Sequence, residues 1–168
     1  DIFSHRVNDK FKIYSKVATD NVLGLKLLMV PEEYMVDPEA YYKPYLEVTE
    51  KYDFIYGHGM LDHIGFVDKK KPRFRKLTSP MWNYEKHFKN IVHGRVIFGH
   101  DHHHDELDKF RYIGSYGRHN HGEEDPKGFM EIIYDKDSKT VISEKFIENT
   151  DAKLFVTVKV STLDEDDD

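Results

Sequence analysis

Residues 95–104, Arg95-Val96-Ile97-Phe98-Gly99-His100-Asp101-His102-His103-His104, decide how the rest of the chain is read. Val96, Ile97 and Phe98 form a short apolar run of the kind found in buried strands. Gly99 ends the run, and histidine follows at once. On extended backbone successive side chains alternate, so His100 and His102 are expected on one face and Asp101 on the other. Two imidazoles at a strand end bind metal when their other ring nitrogens are held by neighbouring groups. A histidine-rich surface loop is the plainer reading of the run by itself. The strand and the glycine before it favour a ligand site, because ligands need a rigid base.

A second segment repeats the construction. Asp53-Phe54-Ile55-Tyr56 reads as a strand, and Gly57-His58-Gly59 follows. Glycines on both sides let the backbone turn sharply and leave room beside the imidazole. The two junctions are separated by a helix-length segment. If the strands are parallel neighbours, their carboxyl ends lie together, where open α/β sheets bind ligands.

Gly57-His58-Gly59 and Gly99-His100-Asp101-His102 resemble the last two metal-binding motifs of the calcineurin-like metallophosphoesterases. Two later segments narrow the resemblance: Arg111-Tyr112-Ile113-Gly114-Ser115-Tyr116, then Gly122-Glu123-Glu124-Asp125-Pro126-Lys127-Gly128-Phe129. They are similar to a run in phage recombination endonuclease subunits, relatives of the bacterial SbcD nuclease. The resemblance spans residues 10 to 148. It implies an α/β fold, the second half of a four-layer αββα sandwich with a mixed sheet. It also implies two divalent metal ions, manganese above all, with zinc or iron as alternatives. His58 and His100 would bind one ion and His102 the other. The implied activity is metal-dependent hydrolysis of phosphodiesters by a DNA nuclease subunit acting in recombination or repair. The implied partners are DNA, an ATPase subunit of the SbcC type and a second copy in a homodimer. The implied setting is the cytoplasm, with a phage gene in a bacterial host as one origin.

The family opens with Asp-x-His near its first strand, then Gly-Asp, then Gly-Asn-His-Asp/Glu, and none of these occurs ahead of His58. They supply the remaining ligands, the aspartate that bridges the metals and a catalytic histidine. The chain is therefore expected to be the second part of a larger protein, and no catalytic acid is assigned within it. Two other functions stay open: a phosphatase or phosphodiesterase on small molecules or proteins, and an inactive fragment or interaction domain.

With 168 residues the chain suffices for one domain with a real core, expected over residues 1–160. The absence of cysteine excludes disulfides and thiolate metal sites, leaving imidazole and oxygen ligands. No apolar run approaches a membrane span and no signal peptide is evident, so a soluble intracellular chain is expected. The net charge of -6 disfavours non-specific binding to nucleic acid, but part of it sits in an acidic tail within 161–168. Against it, Lys69-Lys70-Lys71-Pro72-Arg73-Phe74-Arg75-Lys76 holds six positive charges in eight residues. A solvated loop and a DNA-backbone contact through Lys70 and Arg73 both fit this run.

The remaining pattern predicts strands over 11–19 and 23–30 joined by a turn at Asp20-Asn21. It predicts a helix capped by Asp37 with Pro38 at its first position, reaching Lys51, and a second helix over 80–90. Residues 105–108 read as a loop and 110–113 as a strand. Gly114-Ser115 is a turn whose amides can meet a phosphate oxygen. Ser115, Arg118 and His119 are candidate substrate contacts. Residues 129–134, 140–147 and 154–160 read as strands, with a hairpin turn between the first two.

Overall fold

A computed structural model describes residues 12–62 and 81–156. The basic run with Lys70 and Arg73, the acidic tail and residues 157–160 lie outside the described residues.

The apolar runs become the centre of a mixed six-stranded sheet in the order β1-β2-β3-β4-β6-β5. Its strands are β1 (Ala18–Val22), β2 (Leu25–Val30), β3 (Tyr52–His58), β4 (Val92–Gly99), β5 (His104–Leu107) and β6 (Phe110–Ile113). Strands β2, β3, β4 and β6 are mutually parallel, while β1 and β5 close the edges as antiparallel partners. The parallel relation expected of the two Gly-His strands holds, with His58 opposite Gly99 in the register.

Strand β4 alternates strictly between buried and half-buried positions. Val92, Val96 and Phe98 enter a core shared with Leu28, Ile55, Phe110, Tyr42, Trp82, Tyr84 and Phe88. Phe98 is fully buried between the rings of Phe88 and Phe110, at 5.5 and 5.6 Å. That packing explains one glycine: a Cβ at Gly57 would fall 2.4 Å from the Phe98 ring.

Helix α1 (Pro38–Leu46) covers this core through Tyr42, whose ring meets Trp82 edge-on at 4.7 Å. Asp37 caps it as expected, accepting from the Ala40 amide at 3.0 Å. The helix stops short of Lys51. Pro44 lies inside it and removes a backbone donor, and the Glu47 amide already closes the last turn on Lys43. Only one turn of the second predicted helix forms, a π-helical turn Tyr84–Phe88 capped by Asn83. Trp82 is extended instead, exchanging backbone bonds with Met60 and Asp62.

The opposite face of the sheet carries an antiparallel pair, β7 (Gly128–Asp135) and β8 (Thr140–Glu148). Glu144 of β8 accepts from Arg95 Nε at 2.8 Å and from Arg111 Nε at 2.5 Å. Tyr134 of β7 donates to Asp53 at 2.6 Å and stacks edge-on against Phe54. The layers thus run helical segments, six-stranded sheet, two-stranded sheet.

Three local expectations are corrected. The turn of the first hairpin is Leu23-Gly24, not Asp20-Asn21, because both central residues take positive φ (55° and 80°) and so match the twist of the flanking strands. Strand β1 starts at Ala18, so residues 12–17 of the strand expected over 11–19 are not in it, and Phe11 lies outside the described residues. Of residues 105–108, expected as a loop, 105–107 belong to strand β5. This edge strand is polar and charged, and it shows none of the apolar alternation that marks a half-buried strand. Residues 154–156 are not in a strand.

Candidate metal centre

The carboxyl ends of β2, β3 and β4 lie side by side, since Val30 pairs with Gly57 and His58 with Gly99. At or just past those ends stand Glu32, His58 and His100. Their potential ligand atoms all lie within 4.8 Å of one another. His58 Nδ1 stands 3.0 Å from Glu32 Oε2, and His100 Nδ1 lies 3.7 Å from the same oxygen. The two imidazoles meet edge to face, with centroids 5.1 Å apart. Glu32 and His100 are partly buried, and His58 is about half exposed, so the group opens to solvent.

Two backbone features hold this arrangement. Tyr112 of β6 grips the loop after His58, accepting from the Leu61 amide at 2.8 Å and donating to the Gly59 carbonyl at 2.9 Å. Burial pushes the Tyr112 hydroxyl pKa up to about 12, so it stays a donor at any physiological pH. His100 has φ 111°, a value rarely adopted by residues with a side chain. Such backbone persists only where the surroundings enforce it, and it concentrates at functional sites.

The conformation of His100 also removes the alternation expected of residues 100–102. Strand β4 ends at Gly99, so the strand no longer aims His102. A separate polar cluster does. His102 Nδ1 lies 2.7 Å from Glu123 Oε1. Lys127 Nζ donates to the His102 carbonyl at 2.7 Å, and the Ser115 amide donates to it at 3.2 Å. Glu123 also accepts from Asn120 Nδ2 at 2.8 Å and from the His119 amide at 3.1 Å. Glu123 and Lys127 are almost wholly buried. Burial works against the charge of Glu123, but the bonds from His102, His119 and Lys127 outweigh it and hold its pKa at about 2.

Of the three expected ligands, His58 and His100 come together and His102 is held by the neighbouring cluster. Glu32 escaped the sequence reading, although it follows a third apolar strand in the way the histidines follow theirs. Among the expected substrate contacts, His119 stacks against His102 with centroids 4.8 Å apart. Ser115 lies next to His102 through its amide. Arg118 instead spends its guanidinium on the carbonyls of Glu123, Asp125 and Ala152, at 2.9 to 3.1 Å. Those bonds tie the loop down and explain the residue structurally.

One carboxylate and two imidazoles are a donor set suited to manganese, iron or zinc. No family model, curated protein or solved structure matches this chain. Among the described residues, no helix is long and apolar enough to cross a membrane.

Proposed function

We propose that this chain contributes part of the metal centre of a phosphodiester-hydrolysing enzyme, a DNA nuclease subunit of the metallophosphoesterase type. The observation that carries the reading is the convergence of Glu32, His58 and His100 at adjacent parallel strand ends. Two further features support it. His102, two residues after His100, is held on its own buried carboxylate, Glu123. The layering of helices, mixed sheet and second sheet corresponds to what half of an αββα sandwich would contain.

Bound divalent ions would supply Lewis-acid activation of water and stabilisation of charge on the phosphoryl oxygens. Glu32, His58 and His100 would hold one ion, and His102 a second. The chain's own residues orient these ligands: Glu32 lies in hydrogen-bond reach of the His58 imidazole, and Tyr112 fixes the loop that follows His58. His119 stacks against His102, where it can meet the substrate phosphate. The proton donor to the leaving group and the bridging carboxylate are assigned to no residue here. DNA, an SbcC-type ATPase and a second copy remain the proposed partners.

The test is manganese titration by calorimetry of the chain and of a His58→Ala/His100→Ala/His102→Ala variant. Micromolar binding that disappears in the variant is the expected outcome. Equal binding by both proteins would defeat the metal assignment. DNA binding that weakens steeply with salt, and that is weaker and less salt-dependent in Lys70→Ala/Arg73→Ala, would favour a nuclease over a small-molecule phosphatase.

A further inference from the structure

The run Gly122-Glu123-Glu124-Asp125-Pro126-Lys127 was singled out by similarity alone, and the metal ligands account for none of it. Its buried members surround one exposed imidazole. An ionised carboxylate only accepts hydrogen bonds, so the 2.7 Å contact from His102 to Glu123 requires the proton to sit on Nδ1. In the neutral ring the opposite nitrogen, Nε2, then carries a free lone pair. The His102 side chain is 46% exposed while that of Glu123 is 2% exposed. The ring therefore has a fixed, buried edge and an open edge.

A structural ion pair alone does not account for this geometry. Lys127 already has Asp125 at 3.1 Å and the His102 carbonyl at 2.7 Å, and its distance to Glu123 is a longer 3.4 Å. The shortest bond Glu123 makes is to the imidazole. Two more donors, Asn120 and the His119 amide, lock the carboxylate so that it cannot turn away. Lys127 and the Ser115 amide fix the same residue from its backbone end.

We infer that Glu123 is a positioning residue for His102: it selects the Nδ1–H tautomer and leaves Nε2 as the open ligand atom. The inference rests on the metal-binding role proposed above for His102. Glu123 touches neither metal nor substrate in this scheme. It acts through the imidazole, as carboxylates behind metal-bound histidines do, where their loss costs about 10–100-fold in affinity.

The tautomer can be read without any metal. Histidine side-chain nitrogen NMR on the chelator-treated full chain at pH 8, with His102 assigned through a His102→Gln variant, is the first measurement. Wild type is expected to show a protonated Nδ1 and a bare Nε2 at His102. Glu123→Gln, checked for folding by its amide spectrum, is expected to lose that bias and to bind manganese about 10–100-fold more weakly. A protonated Nε2 in wild type, or an unchanged tautomer in folded Glu123→Gln, would overturn the inference. The wild-type spectrum decides the matter even if the variant does not fold. If the tautomer is as stated but His102→Gln binds manganese as tightly as wild type, the metal role of His102 falls while the control of its ring by Glu123 stands.

Discussion

His58 and Gly99 are register partners on adjacent parallel strands, and a Cβ at position 99 would stand 3.2 Å from Cδ2 of the His58 ring. The glycine is the space the imidazole occupies. His58 is about half exposed, so its ring can give way when that space is filled. Gly99→Ala should therefore leave the fold nearly intact and push the ring away from Glu32 and His100. The expected result is a loss of manganese affinity of about tenfold, in the range seen when a ligand's orientation is lost. Calorimetry gives the affinity, and a thermal melt shows whether the loss is local. A large fall in melting temperature with affinity preserved would contradict this account.

The backbone of His100 makes a different prediction. A residue with a side chain held at φ 111° costs of order 1–3 kcal/mol. Glycine at this position relieves that cost, whereas alanine keeps it. His100→Gly should be more stable to urea than His100→Ala by about 1 kcal/mol or more, allowing for the greater freedom of glycine in the unfolded chain. Both variants should lose the imidazole's contribution to metal binding. A His100→Gly variant less stable than His100→Ala, by the ordinary cost of glycine, would show that the backbone at residue 100 is not strained.

The parts of this site that were legible in the sequence are those written as local contrast. An apolar run broken by Gly-His marks a strand end, and both such ends proved to be parallel neighbours. Asp37-Pro38 announced a helix start because capping chemistry is local. Glu32 was hidden because Pro31 ended the strand without a glycine, and the acidic pair Glu32-Glu33 after it carries no comparable contrast. Its role follows from the parallel pairing of β2 with β3, a contact between residues almost thirty positions apart. The grip of Glu123 on His102 was hidden for the same reason. The expected alternation at residues 100–102 failed because it assumed extended backbone, and the dihedral of His100 is fixed by tertiary surroundings.

Tyr112 supplies a test of the loop that follows His58. Its hydroxyl satisfies the Leu61 amide and the Gly59 carbonyl, and the side chain is buried. Tyr112→Phe keeps the ring packing and strands both backbone groups. An unmet buried donor or acceptor costs about 1–3 kcal/mol, so urea denaturation should show a loss in that range. Hydrogen exchange at Leu61 should rise well beyond the global change, since its amide loses its acceptor. Unchanged protection at Leu61 would mean that another group holds the loop.

Acid should loosen the docking of the second sheet before it melts the core. Burial opposes ionisation of Asp53 and Glu144. The bonds from Tyr134 and the Lys26 amide at Asp53, and from Arg111 and Arg95 at Glu144, prevail and lower both pKa values. A carboxylate with a lowered folded pKa stabilises the protein in full above its unfolded value, near 4, and loses that contribution as pH falls through the folded value. The urea midpoint should thus be flat from pH 7 to about 5 and decline below about 4. Asp53→Asn should be less stable than wild type at pH 7, and the gap should narrow at pH 3, where the wild-type carboxylate begins to take up its proton. Glu144→Gln should behave alike, with two buried or half-buried arginines left short of a partner at neutral pH. A wild-type midpoint that rises on acidification, or a gap that widens, would show that these carboxylates do not hold β7 and β8 against the sheet.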